Sequence, residues 1–148
     1  MKPPVADAID AAAAALSDPY DVPATPVRFL RLLTRVRRHV AEIAPAAWSA
    51  LPPARRPLLI DVREFSEWRA GRAVGAVHLP RGLLEARIEH VAPDLRTAIV
   101  CYCADGSRSL LAAESLARLG YRDVRSLAGG FVAWEEAGLP VAGRSPWD

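Results

Sequence analysis

The stretch Ala98-Ile-Val-Cys-Tyr-Cys103-Ala-Asp-Gly-Ser-Arg108-Ser-Leu-Leu-Ala-Ala-Glu-Ser-Leu-Ala-Arg-Leu119 decides the reading of this chain. Its first five residues, Ala98 to Tyr102, are an apolar run of strand length. Cys103 to Arg108 is a short polar loop with Gly106 inside it, and Ser109 to Leu119 is amphipathic at helical spacing. The order is strand, tight loop, helix. A cysteine at the strand end lies where the loop N–H groups and the helix N-terminus converge. Both favour negative charge, and so the thiolate over the thiol. A thiolate attacks electrophiles and holds them covalently. The loop therefore predicts thiol-based transfer chemistry, with Cys103 as nucleophile and Ala104, Asp105, Gly106, Ser107 and Arg108 forming the cradle for an anionic substrate or leaving group.

Working outward, strand and helix signals alternate from about Glu42 onward. Leu58 to Asp61, Ala76 to Leu79 and Val124 to Leu127 read as strands beside 98–102. Glu64 to Arg69, Gly82 to Val91, Ser109 to Leu119 and Phe131 to Ala137 read as helices, with Gly120 and Gly138 as stops. Such alternation predicts an α/β domain with a mostly parallel sheet and helices on both faces. Ligands of open sheets of this kind sit at the carboxyl ends of the strands, which is where Cys103 falls.

The 148 residues suit one domain plus an extension, divided as 1–41 and 42–148. Residues 1–24 are an Ala-rich run followed by Ser17-Asp-Pro-Tyr-Asp-Val-Pro23, of low complexity and expected to be partly flexible. A helix is predicted over 26–43, capped by Thr25-Pro26, with Phe29, Leu32, Leu33, Val36, Val40 and Ile43 on one face. Between Arg28 and His39 it carries five arginines and no acid, a face that is either solvated or offered to an acidic protein partner.

A net charge of +2 calls for no nucleic-acid partner. No run of about 18 apolar residues exists, so no membrane span is expected. Asp7 and Asp10 interrupt the Ala-rich start, unlike a secretory signal, and a cytoplasmic location is expected. The two cysteines, Cys101 and Cys103, suit a reducing compartment and make no disulfide framework. They supply only half a tetrahedral set with no histidine at ligand spacing, so neither a metal nor an organic cofactor is expected.

Several segments together resemble the rhodanese family of sulfurtransferases. They are Leu59-Ile-Asp-Val-Arg-Glu64 followed by Glu67-Trp68, Gly75-Ala-Val-His-Leu-Pro80, the Cys103-x-x-Gly106-x-Arg108-Ser109 loop, and Leu127-Ala-Gly-Gly-Phe-Val-Ala-Trp134 followed by Gly138-Leu-Pro140. Four motifs in one order span roughly residues 42–142. The segment Gly71-Arg-Ala-Val-Gly75 departs from the family, which usually has histidine in place of Arg72. The resemblance implies a rhodanese-like α/β fold with a central, mainly parallel five-stranded sheet and helices on both faces. It also implies that Cys103 becomes a persulfide, taking sulfur from a small donor such as thiosulfate or another persulfide and passing it to a thiol or cyanide.

Asp61 and Arg63 in the first motif are expected to support the loop, and Arg108 to attract an anion or brace the loop through Asp61 or Glu64. Asp105 inside the loop would repel an anionic donor. Cys101 reads as structural, with a resolving thiol as the alternative. Ser107 and Ser109 read as helix caps, with donation to a bound oxyanion as the alternative. Two other functions share these features: a regulatory or redox-sensing module, and a cysteine-dependent phosphatase or arsenate reductase. The phosphatase-type loop is longer than the four residues between Cys103 and Arg108.

Overall fold

A computed structural model of the chain describes residues 26–144. The elements are α1 (Val27–Val36), β1 (Ala41–Ile43), α2 (Pro45–Ala50), β2 (Leu58–Asp61), α3 (Phe65–Ala70), β3 (Arg72–Ala73), β4 (Val77–His78), α4 (Leu84–Val91), β5 (Ile99–Tyr102), α5 (Ser107–Arg118), β6 (Val124–Leu127), α6 (Gly130–Glu136) and β7 (Val141–Ala142). Five strands form one sheet in the order β1-β6-β5-β2-β4, every pair parallel. The expected five-stranded α/β architecture is therefore present. A separate antiparallel pair joins β3 to β7. The described residues from Leu32 onward belong to one compact unit, and Pro26–Arg31 are the described part of the segment before it.

The central strand β5 is buried at all of its positions, as a parallel strand covered on both faces requires. Its side chains alternate. Ile99 and Cys101, followed by Cys103, face a cluster that includes Leu84 and Ile88 of α4 and Ala112 and Leu116 of α5. Val100 and Tyr102 face the other cluster, with Trp48 of α2 and Phe131 and Trp134 of α6. Each fully buried leucine of these layers contributes about 1.5–3 kcal/mol. Cys101 and Cys103 thus share one face, as a spacing of two on a strand dictates.

The helix expected over 26–43 stops at Val36. Residues 41–43 are instead the edge strand β1, paired with β6 from Ala41↔Arg125 to Ile43↔Leu127. Val40 and Ile43 satisfy helical spacing, but they satisfy burial beside a strand edge equally well, and Pro45 prevents a helix from running through. Arg28, Arg31, Arg35 and Arg38 are exposed, and Arg37 pairs with Glu42. The Thr25 cap and the Ala-rich run lie outside the described residues. Among those residues no helix is long and apolar enough to cross a membrane.

Candidate active site

β5 ends at Tyr102, and the chain turns at once through Cys103-Ala-Asp-Gly106 into α5. Gly106 makes the turn possible. Its φ of +95° is the left-handed conformation at the helix N-cap, and a Cβ there would press within 3.3 Å of the Leu127 carbonyl and the Gly129 amide. The turn aims two backbone donors at the cysteine. The Gly106 N–H lies 3.2 Å from Cys103 Sγ and the Ser109 N–H 3.4 Å from it. Ser109 Oγ is 3.5 Å from the sulfur, and Asp105 Oδ1 is 3.8 Å from it, within reach of the thiol as donor. Cys103 itself is 0% exposed. Asp105 is the one exposed residue among these four contacts of the sulfur.

The loop is held from its other side by α6. Phe131 N–H donates to the Cys103 carbonyl at 2.8 Å, and Val132 N–H to the Ala104 carbonyl at 3.1 Å. This close approach depends on Gly130, whose φ is +58° and whose Cβ would meet the Cys103 carbonyl oxygen at 2.5 Å and Ala104 at 2.7 Å. Gly130→Ala is therefore expected to cost about 2–5 kcal/mol, combining left-handed strain with overpacking. Urea unfolding measures it; an unchanged midpoint would show that the loop can retreat from α6 without penalty.

Asp105 is oriented by Ser107, whose N–H and Oγ both donate to Asp105 Oδ1 at 3.0 and 2.6 Å. Burial alone would raise this carboxyl. The Ser107 hydrogen bonds and the Arg108 charge win and hold it below the usual carboxylate range. The acid thus accepts from Ser107, the first residue of α5, and Ser109, read from the sequence as a cap, is turned inward against the sulfur.

Arg108 braces the loop through Glu67, not through Asp61 or Glu64. Its Nη1 and Nη2 donate to Glu67 Oε2 and Oε1 at 2.9 and 2.8 Å. These hydrogen bonds raise the Arg108 pKa against the opposing effect of burial. Glu67 in turn falls below the usual range: burial pushes it up, but Arg108 and the Glu64 N–H pull it down further. Glu67 also completes a capping box with Glu64 at the start of α3. Sequence reading missed the partner because the two residues lie 41 positions apart. The capping-box spacing was the only local sign that Glu67 is a fixed carboxylate.

Asp61 and Arg63 do not touch the sulfur. They form a buried fork, with Arg63 Nε and Nη2 on both Asp61 oxygens at 2.7–3.1 Å and the Arg63 N–H on Asp61 Oδ1 at 2.9 Å. Arg63 Nη2 also donates to the Gly71 carbonyl at 2.7 Å, and its guanidinium lies 4.4 Å from the centre of the Phe131 ring. The pair thus ties β2 to α3 and to the helix that grips the loop. His78 accepts no metal role here: its Nε2 bonds the Arg63 carbonyl, and its ring stacks on Trp68, which Arg72 covers from 4.5 Å. Cys101 is fully buried, and burial pushes its thiol up to about 12. A thiol kept neutral at physiological pH is a poor resolving nucleophile, which supports its structural reading. Among the described residues no cluster of acids, histidines and cysteines could hold a metal ion.

A parallel α/β sheet with a cysteine loop at its carboxyl edge, two amides on the sulfur and helices on both faces defines a class of thiol-centred domains. Within that class, the rhodanese-like domain profile matches residues 46–137, and the chain belongs to that family. It is 37% identical over 84 residues to a sulfurtransferase of Allochromatium vinosum, covering 57% of this chain and 77% of that protein. It is 36% identical over 101 residues to a thiosulfate sulfurtransferase of Actinobacillus succinogenes, covering 68% and 88%. Among solved structures, a Rhodopseudomonas palustris protein of unknown function, described as a possible tyrosine phosphatase, superposes with a TM-score of 0.72 at 30% identity. That likeness covers 82% of this chain and 99% of that one.

Proposed function

We infer that the protein is a sulfurtransferase working through a Cys103 persulfide. The Cys103 thiolate attacks the outer sulfur of a donor. A new S–S bond forms, the donor's own bond to that sulfur breaks, and the leaving group departs with the electron pair, as sulfite if the donor is thiosulfate. An acceptor thiolate or cyanide then attacks the outer sulfur, and the Cys103 thiolate is released. Two half-reactions through a covalent intermediate give ping-pong kinetics. Neither needs a metal or an organic cofactor.

The observation that carries this reading is the pair of amides, Gly106 and Ser109, converging on Cys103 Sγ at 3.2 and 3.4 Å at the head of a 12-residue helix. They support negative charge on the inner sulfur both before attack and when the persulfide is discharged. Asp105 bears on the donor. Its carboxylate stands 3.8 Å from the sulfur, and Arg108, the neighbouring cation, is engaged by Glu67. A dianionic donor meets repulsion there, which favours a neutral or protein-bound persulfide over thiosulfate. Arg28, Arg31 and Arg35 on α1 offer a face for an acidic carrier of such a persulfide.

The test is intact-mass measurement after incubation with thiosulfate and, separately, with cysteamine persulfide, whose ammonium cancels the persulfide charge. A gain of one sulfur atom, located on Cys103, is expected, and faster with the cysteamine persulfide. Generic aryl phosphate is expected to remain unhydrolysed, because the loop is short and its arginine is occupied. Loss of phosphate from that substrate with no sulfur gain would favour the phosphatase reading. Neither activity would favour a regulatory module.

A further inference from the structure

Beneath the candidate nucleophile lies a second hydroxyl that the mechanism above does not use. Ser126, in β6, is 0% exposed, as is Ser109. Their Oγ atoms are 2.8 Å apart, and Ser109 Oγ continues to Cys103 Sγ at 3.5 Å. Ser126 sits in mid-sheet, in register with Cys101 on one side and Glu42 on the other, beside Val124 of the apolar cluster. Such a place suits a β-branched residue. Replacing both serines by apolar groups would cost a sheet core little, so stability alone gives the pair no reason to exist.

Donor counting gives one. A thiolate, and equally the inner sulfur of a persulfide, accepts hydrogen bonds and donates none. Ser109 must then turn its O–H toward the sulfur, and its own oxygen is free to accept from Ser126. When the sulfur carries a proton, both hydroxyls can reverse: S–H donates to Ser109 and Ser109 donates to Ser126. With the loop closed Cys103 has no exposed surface, so the two hydroxyls serve the sulfur there, and a reagent meets it when the loop opens. Resting on the sulfurtransferase reading of Cys103, we propose that Ser126 is a positioning residue, acting through Ser109, that orients the Ser109 hydroxyl onto the inner sulfur in its anionic and persulfide states. The charged groups facing the sulfur are Asp105 from its own loop and Arg108 from α5, and both are retained in every variant below.

The test is the rate of iodoacetamide alkylation of Cys103 against pH, in the full chain, for the wild type, Ser109→Ala, Ser126→Ala and the double variant. Alkylation reads the thiol directly and is independent of any donor. Ser109→Ala should slow it about tenfold at neutral pH, as loss of a hydrogen bond to a charged group does. Ser126→Ala should slow it about threefold, with the whole profile moved to higher pH. Added to Ser109→Ala, Ser126→Ala should change nothing more, since its influence passes through that hydroxyl. Equal slowing in both backgrounds, or none in either, overturns the proposal. Should Ser126→Ala lose its fold, judged by far-UV circular dichroism, the comparison moves to Ser126→Thr, which keeps the hydroxyl and should keep the wild-type profile; a shifted profile in that folded variant counts against it. Sulfur loading of the wild type is measured in parallel. If loading fails while the alkylation pattern holds, the sulfurtransferase reading falls and the hydroxyl pair stands.

Discussion

Cys103→Ser is expected to abolish sulfur loading and turnover, by at least about a thousandfold, while leaving the fold intact. The variant keeps the size and nearly the shape of the side chain. Its oxygen can accept from the same Gly106 and Ser109 amides that face the sulfur at 3.2 and 3.4 Å. It sits among residues that already tolerate buried hydroxyls, since Ser109 and Ser126 are both fully covered. Folding therefore loses little. Chemistry loses everything, because an alcohol is not ionised near neutral pH and cannot carry a second sulfur. The measurement is intact mass after donor treatment together with the thermal midpoint. Retained sulfur gain in Cys103→Ser would move the nucleophile elsewhere, and Cys101, with a thiol pushed up to about 12, is badly placed to take over.

Burial of the sulfur sharpens that prediction. The amides converge on Cys103 as the sequence order implied, yet the residue is 0% exposed. In the inferred reaction, donor attack therefore requires the loop to open around Cys103, where Asp105, the exposed contact of the sulfur, is held in place by Ser107.

What the sequence made legible follows from range. The strand–loop–helix unit around Cys103 is local: an apolar run, a glycine and an amphipathic run settle it, and the helix begins only two residues earlier than its hydrophobic spacing suggests, at Ser107. That difference has a consequence, because it turns Ser109 from a cap into an inward-facing side chain. The parallel sheet was legible for the same reason, since each buried strand is an apolar segment bounded by turn residues. Contacts between distant segments were not. Arg108 finds Glu67, 41 positions away, rather than the acids of the first motif. Asp61 and Arg63 are local, but nothing in their spacing shows that their side chains turn onto each other, and sequence reading assigned them only general loop support. The strands β3 and β7 span two residues each and have no periodicity to detect. Helix α1 was overextended because its last apolar residues serve an edge strand, which only the partner β6 reveals.

The Asp61–Arg63 fork carries the largest expected effect on stability. Asp61 is 0% and Arg63 4% exposed, and each satisfies the other with little help from water. Burial disfavours charge on Arg63, but its hydrogen bonds and Coulombic attraction to Asp61 outweigh that and raise its pKa. Removing one member leaves the other charged, buried and unpaired, so Arg63→Ala is expected to cost about 3–5 kcal/mol in urea unfolding. The loss also strips the Gly71 carbonyl of its donor and the Phe131 ring of the nearer of its two cations, leaving Arg144 at 5.9 Å. Phe131 is the residue whose N–H holds the Cys103 carbonyl, so sulfur loading should fall along with stability even where the variant remains folded. Replacing both charges at once, as Asp61→Leu with Arg63→Met, should recover much of the stability, because well-packed apolar side chains are often no worse than a buried pair. It should not recover full loading, since the tie from β2 to the carbonyl of Gly71 is still missing. If the double replacement restores loading as completely as stability, the fork is only a core element, and the loop is held by α6 alone.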